Sequence, residues 1–289
     1  MFNESFKPQK PIWVTGAAGL IGHALVEALQ RRKLPVYPVT RQEIDLTRCD
    51  QIVEQFTEHS PSAIIHCAAI SDTTQCQQNQ NLARKVNLFA TRFLCDIASD
   101  IPLIFFSTDL VFDGQKGNYS PEDPVNPLNF YAETKAEAEQ YILLNPLHTV
   151  IRTSLNGGIS PKGNRGFNEQ IRQAWVQGKE LTLFTDEFRN PIPASITAEL
   201  TLQILSNQLT GIAHIAGGSK LSRWQIGELL ARRWGNEITP RMKSGTLKEY
   251  NGPKRPADTS LDITQTEELL NEKIPGLEQW LLANPEVPF

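Results

Sequence analysis

Short apolar runs rich in β-branched residues alternate with amphipathic stretches through the first half of the chain. PIWVTG (11–16), PVYPVT (35–40), SAIIHCAA (62–69), IPLIFFST (101–108) and HTVIRTS (148–154) read as strands. GLIGHALVEALQRR (19–32), the segments near 48–59 and 79–98, and NFYAETKAEAEQYI (129–142) read as helices. Strands apolar throughout, each followed by a helix, predict an α/β fold with a doubly wound parallel sheet covered on both faces. A loop rich in Gly, Pro and Asn over 113–128 is long for a connector and reads as a binding loop. After about residue 155 the rhythm loosens. A helix follows the loop at 159–166, then the strand LTLF (181–184), the proline-bearing RNPIPA (189–194), a further helix, and the strand GIAHIAG (211–217). The helix SRWQIGELLARRW (222–234) has Ser222 placed to cap it. Residues 240–262 look irregular, and a last helix ends near Leu282.

Composition removes several classes of function. The 289 residues are 40% hydrophobic and 21% charged, an ordinary globular balance. The net charge is −4 with both signs interspersed, and no basic stripe points to nucleic acid or an anionic membrane surface. MFNESFKPQK has no apolar core of a signal peptide, and no run approaches the roughly 20 apolar residues of a membrane span. Cys49, Cys67, Cys76 and Cys95 have no metal-ligand or disulfide-framework spacing, so a reduced, cytoplasmic protein without a metal is expected. The five histidines are scattered. His66 reads as a packed neutral residue, Cys67 as a small hydrophobe, and Trp224 and Trp234 as core or interface anchors. An apolar helix face could support a homodimer.

Three local patterns carry chemistry. VTGAAGLIG places Gly16, Gly19 and Gly22, with Leu20 and Ile21 between them, at the turn from first strand to first helix. Glycine there lets a pyrophosphate approach the helix N-terminal amides, although a glycine-rich turn alone is weak evidence. At the end of the second strand, VTRQEID has Arg41 and no acid until Glu43. An arginine here accommodates a 2′-phosphate, which predicts NADP with NAD tolerated; a solvated loop charge is the plainer account. Tyr131 and Lys135 stand one helical turn apart, on one face. An adjacent ammonium favours tyrosinate, so Lys135 is expected to lower the Tyr131 pKa and suit the phenol to proton transfer. Thr108, at a carboxyl end of the sheet, can hydrogen-bond a substrate carbonyl; a strand-end cap is its bland reading.

Through GxxGxxG at 16–22 and YxxxK at 131–135 the chain resembles the extended short-chain dehydrogenases/reductases. Within them it is similar to the dTDP-4-dehydrorhamnose reductases, by EIDLT (43–47), HCAAISDTTQCQQN (66–79), STDLVFDG (107–114), PLNFYAETKAEAE (127–139), IRTS (151–154) and KRPADTSLD (254–262). The resemblance implies a Rossmann dinucleotide-binding domain over 1–155 and a smaller, mainly substrate-binding α/β part over 156–289, with about 190–215 packing back on the sheet. It makes Thr108, Tyr131 and Lys135 the catalytic triad, with Lys135 also on the nicotinamide ribose. It puts Asp45 and Leu46 at the adenine, Ala68, Ala69 and Ser71 along the cofactor, and Asp109, Leu155 and Arg255 near a nucleotide-sugar substrate. The departures are Leu110 and Leu155 where that family has aromatic residues, and NPIP (190–193) where it has Gly-x-Pro-Thr. All three fall on the sugar side. The implied activity is hydride transfer to a keto carbon of a nucleotide-linked sugar. The alternatives are a sugar-nucleotide epimerase or dehydratase, and a non-catalytic NADP-binding subunit resembling the regulatory subunit of methionine adenosyltransferase. Leu110 leaves a dehydratase short of its second acid.

Overall fold

A computed structural model describes residues 1–235 and 237–289. The chain runs β1 (Ile12–Thr15), α1 (Leu20–Arg31), β2 (Val36–Val39), α2 (Cys49–His59), β3 (Ala63–His66), α3 (Thr73–Gln78), α4 (Gln80–Arg84) and α5 (Ala90–Ile97). A π turn over Lys85–Phe89 joins α4 to α5. β4 (Leu103–Thr108), α6 (Phe130–Ile142) and β5 (Thr149–Thr153) complete the first half. The second half contributes β6 (Asn156–Gly157), α7 (Phe167–Val176), β7 (Leu181–Phe184), β8 (Phe188–Arg189), β9 (Ile192–Pro193) and α8 (Ala194–Ser206). It ends with β10 (Gly211–Ile215), β11 (Leu221–Ser222), α9 (Arg223–Trp234), β12 (Met242–Gly245), α10 (Thr264–Leu270) and α11 (Leu277–Ala283).

Among the described residues the main sheet has six parallel strands in the order β2-β1-β3-β4-β5-β10. β1, β3, β4 and β5 are buried along their length, which is why they read as continuous apolar runs. Alternate side chains feed two cores. Ile12, Val14, Ile65, Ile104, Phe106 and Ile151 meet Leu25 and Leu29 of α1 and Leu202 and Leu205 of α8. Trp13, Ile64, Leu103, Phe105 and Val150 meet Ile52 of α2, Leu94 of α5, and Ala138 and Ile142 of α6. The result is the expected Rossmann-type doubly wound sheet. Its order reverses between β1 and β3, so a crevice opens beyond their carboxyl ends.

A third core joins Phe167, Ile171 and Trp175 of α7, Ile226, Leu230 and Trp234 of α9, Leu277 and Leu281 of α11, and Phe289. Trp234 is buried there, whereas Trp224 is half-buried. Two local expectations need correction. The stretch 240–262 is not wholly irregular, since β12 pairs in parallel with β7; MKSG has no apolar alternation, and main-chain bonds hold it. The helix expected near 79–98 is preceded by a separate helix, α3, and interrupted by the π turn. Asp72 and Asn79 each cap a new start, accepting from the Gln75 and Leu82 amides.

Candidate active site

The crevice at the sheet's carboxyl edge is a cleft of about 850 Å³ running from Thr40 and Asp45 past Thr108 to Arg223 and Arg255. Its floor begins at the glycine turn after β1. Gly16 has φ +69°, and a Cβ there would lie 2.8 Å from the Ala68 nitrogen. A Cβ on Gly22 would lie 2.3 Å from the Gly16 carbonyl oxygen. Gly19 caps α1 with no side-chain acceptor, so the first amides of the helix are left facing the cleft. A narrow turn with open helix-start amides fits a dinucleotide pyrophosphate.

At the far end lie Thr40, Arg41, Ile44, Asp45 and Leu46. Asp45 accepts from the Thr47 amide (2.9 Å) and hydroxyl (2.8 Å); these bonds, with Arg41 and Lys85 nearby, hold its carboxyl below the usual range. After β3, Ala68, Ala69 and Ser71 line the cleft. Beneath them His66 is fully buried between the hydroxyls of Thr15 (2.6 Å) and Thr91 (2.9 Å), and burial pushes its pKa down to about 3. Asn87, presented by the π turn, grips both the amide (2.8 Å) and carbonyl (3.0 Å) of Ile70 and donates to the Thr134 hydroxyl (3.1 Å). Thr134 in turn donates to the Tyr131 carbonyl (2.7 Å), so the segment after β3 is tied to α6. Cys67 lies beside this path, its thiol pushed up by burial; all four cysteines are free.

α6 starts cleanly because the Asn129 side chain accepts from the Ala132 amide (3.0 Å). That start presents Tyr131 and Lys135 to the cleft, 8% and 2% exposed, facing Thr108 at the end of β4. Thr108 Oγ1 accepts from the Leu110 amide and donates to Asp109 Oδ1, both at 3.2 Å. The electrostatics reverse the sequence-based expectation. Burial, and then the Asp109 carboxylate, raise the Tyr131 phenol above its ordinary value; a hydrogen bond with Thr108 acts against this. Lys135 does not lower it. Its own amine lies 3.8 Å from the centre of the Phe105 ring, and burial pulls its pKa down to about 7 against the pull of Glu139. Desolvation outweighs pairing because both groups are out of water.

The sugar-side wall is a buried charge cluster. Asp109 accepts from Ser154 (2.7 Å) and Thr259 (3.0 Å) and lies 3.5 Å from Arg189. Burial raises its carboxyl. Glu187, 1% exposed, takes a two-pronged bond from Arg255 (2.8 and 3.2 Å) and lies 3.3 Å from Arg189. The surrounding arginines hold Glu187 below the usual carboxylate range despite its burial. Arg223 lines the same wall without a hydrogen bond from its guanidinium among the described residues, and burial lowers its pKa to about 10. Leu155 lines the cleft and packs against the third core. Every residue given a catalytic, cofactor or substrate role in the sequence thus lines this one cleft, whereas the departing segment 190–193 does not. Glu187, Arg189 and Arg223 were not anticipated, and one signal pointed to Arg223: a cation in the first turn of a helix is misplaced for the helix dipole. Among the described residues no His, Cys, Asp and Glu group is arranged for a metal, and no helix is long and apolar enough to cross a membrane.

A parallel Rossmann-type sheet with a glycine turn and a buried Tyr–Lys helix over one cleft defines an α/β protein of the doubly wound, dinucleotide-fold class. The family model of the RmlD substrate-binding domain matches residues 10–283, and the chain belongs to this family of dTDP-4-dehydrorhamnose reductase-like proteins. It is 29% identical to the probable low-salt glycan biosynthesis reductase Agl14 of Haloferax volcanii, over 94% of this chain and 96% of that one. The β subunit of bovine (Bos taurus) methionine adenosyltransferase 2 is 25% identical over 91% of this chain and 83% of its own. A crystal structure of a dTDP-4-dehydrorhamnose reductase from Clostridium acetobutylicum superposes with a TM-score of 0.85 at 26% identity, covering 94% of this chain and 96% of that one.

Proposed function

We propose that the chain is an NADP(H)-dependent reductase, tolerant of NAD, which reduces a keto carbon of a nucleotide-linked sugar with Tyr131 as proton donor. The convergence of Thr108, Tyr131 and Lys135 in the same cleft as the glycine turn carries this reading. When bound, the reduced nicotinamide supplies the hydride. The chain's own groups do the rest. The amides after Gly16, Gly19 and Gly22 hold the pyrophosphate, with Leu20 and Ile21 in the same turn. Arg41 meets a 2′-phosphate, Asp45 and Leu46 the adenine, and Ala68, Ala69 and Ser71 the path between. Thr108 orients the substrate carbonyl, and the Tyr131 hydroxyl passes its proton to the oxygen as charge develops there. Burial keeps the phenol in its protonated form before the reaction. Lys135 holds the nicotinamide ribose, and its amine, lowered to about 7 by burial, returns a proton to the phenolate left behind. Asp109, Leu155 and Arg255 face the sugar nucleotide, and Arg223, whose guanidinium makes no hydrogen bond among the described residues, offers a cation to its diphosphate. Residues 1–155 serve the dinucleotide and 156–289 mainly the substrate, and a homodimer is compatible with this division.

A panel of nucleotide 4-keto sugars with NADPH and NADH, followed by loss of reduced-cofactor absorbance, tests the proposal. Tyr131→Phe is expected to keep cofactor binding and lose about 10²–10⁴-fold in turnover; undiminished turnover ends the mechanism. Likeness to the methionine adenosyltransferase subunit favours a second reading, a non-catalytic NADP-binding subunit. Copurification of a stoichiometric partner with no oxidation of NADPH by any keto sugar would select it. The retained Thr108, Tyr131 and Lys135 favour the enzyme.

A further inference from the structure

The turn after β2 carries two carboxylates, and they are used differently. Asp45 is tied forward to Thr47 inside its own turn. Glu43 folds back over the strand end, where its Oε2 accepts from the Thr40 amide at 3.0 Å and also from the Thr40 hydroxyl. Thr40 and Arg41 line the cleft where the adenosine ribose of a dinucleotide reaches, whereas Glu43 is exposed to solvent beside them. An amide, a hydroxyl and a guanidinium side by side make a donor set for a phosphate. Two of those three donors already hold an anion belonging to the chain.

We infer that Glu43 sets the NADP-to-NAD preference by competing, as an internal carboxylate, with the 2′-phosphate for the Thr40 donors beside Arg41. The inference rests on the cofactor reading above. A cofactor without the phosphate leaves the Glu43–Thr40 contact in place. A cofactor with it must displace the carboxylate or sit against a like charge. Hydrogen bonds from Thr40 hold the Glu43 carboxyl below the usual range, so the competitor is ionised at neutral pH. The turn does not need it for its shape. Ile44 is fully buried and its amide donates to the Thr40 carbonyl at 3.0 Å, so both variants below should fold.

Glu43→Gln keeps an acceptor oxygen and removes the charge; Glu43→Ala empties the position. Fluorescence titration gives Kd for NADPH and NADH, and competition by 2′,5′-ADP against 5′-AMP isolates the phosphate without the sugar substrate. The expected result is a fall in Kd for NADPH of about three- to tenfold in both variants, with NADH within about twofold and 2′,5′-ADP gaining in step. The gain should shrink near ~1 M salt. If NADPH and NADH shift together, or neither shifts, while 2′,5′-ADP still outcompetes 5′-AMP, the role of Glu43 is overturned and that of Arg41 stands. If 2′,5′-ADP never outcompetes 5′-AMP, on wild type or variants, both fall.

Discussion

Lys135→Met tests the reversed electrostatics directly. Burial lowers the Lys135 amine from 10.5 to about 7, so carrying its charge inside the fold costs about 5 kcal/mol at pH 6. The sign with pH follows from proton uptake. Between about 7 and 10.5 the unfolded chain holds the proton that the folded chain has released, so stability rises with pH across that window. The penalty is complete below the window and vanishes above it. Methionine fills the same space with no charge. In ligand-free thermal melts, Lys135→Met should therefore exceed wild type by about 10–15 °C at pH 6 and by about 2–3 °C near pH 10. Turnover on a responsive keto sugar should meanwhile fall at least about a hundredfold. A variant melting at or below wild type at pH 6, or a difference independent of pH, would refute the reasoning; a stable variant with full turnover would remove Lys135 from the chemistry.

Gly22→Ala places a methyl group 2.3 Å from the Gly16 carbonyl oxygen, and is expected to weaken NADPH binding about tenfold or more by fluorescence titration and to cost about 1–3 kcal/mol of stability. Glu187→Gln leaves Arg189 and Arg255 short of a buried partner, and should lower stability by about 3 kcal/mol, read as a shifted urea midpoint at constant m. Because the Glu187 carboxyl is held below its ordinary 4.5, its contribution is present above that pH and lost as the pH falls toward the lower folded value; the variant should lack this acid limb. Arg152→Leu strands Glu139, its buried partner at 2.9 Å, and should cost about 3–5 kcal/mol; adding Glu139→Gln should recover part of it in the same urea titration.

The main sheet was legible because each of its buried strands is apolar on both faces, and that is a property of a few consecutive residues. β12 was not, since MKSG is polar and owes its conformation to main-chain pairing with β7, some sixty residues earlier. The two-residue strands β6, β8, β9 and β11 share this character: they mark where distant segments meet, and four letters of sequence carry no trace of the partner. Asp72 and Asn79 could have been read as helix starts from their residue types. The π turn could not, because it is fixed by the hydrogen bonds of Asn87 to Ile70 and Thr134.

The two ends of the cleft differed in legibility for the same reason. The glycine turn and the Tyr131–Lys135 spacing are local patterns, and local geometry alone brings their atoms to the cleft. The sugar-side wall is built from residues 109, 154, 187, 189, 223, 255 and 259, and no spacing in the chain announces that these meet. Charge behaves like that wall. Helical spacing makes Lys135 a neighbour of Tyr131, but how each titrates depends on how much water the surrounding elements exclude. β4 supplies Phe105 beneath the amine and the turn after it supplies Asp109 beside the phenol, so an amine that would be an ordinary ammonium on an isolated helix is lowered by burial to about 7 here. Tyr131 is thus kept in its acid form by its burial and by Asp109, while burial lowers the Lys135 amine to about 7. In the proposed reduction, proton delivery to a substrate oxygen would need the first property before the reaction and the second after it. The same desolvation that defeats the simple ammonium-to-phenol reading therefore supplies both.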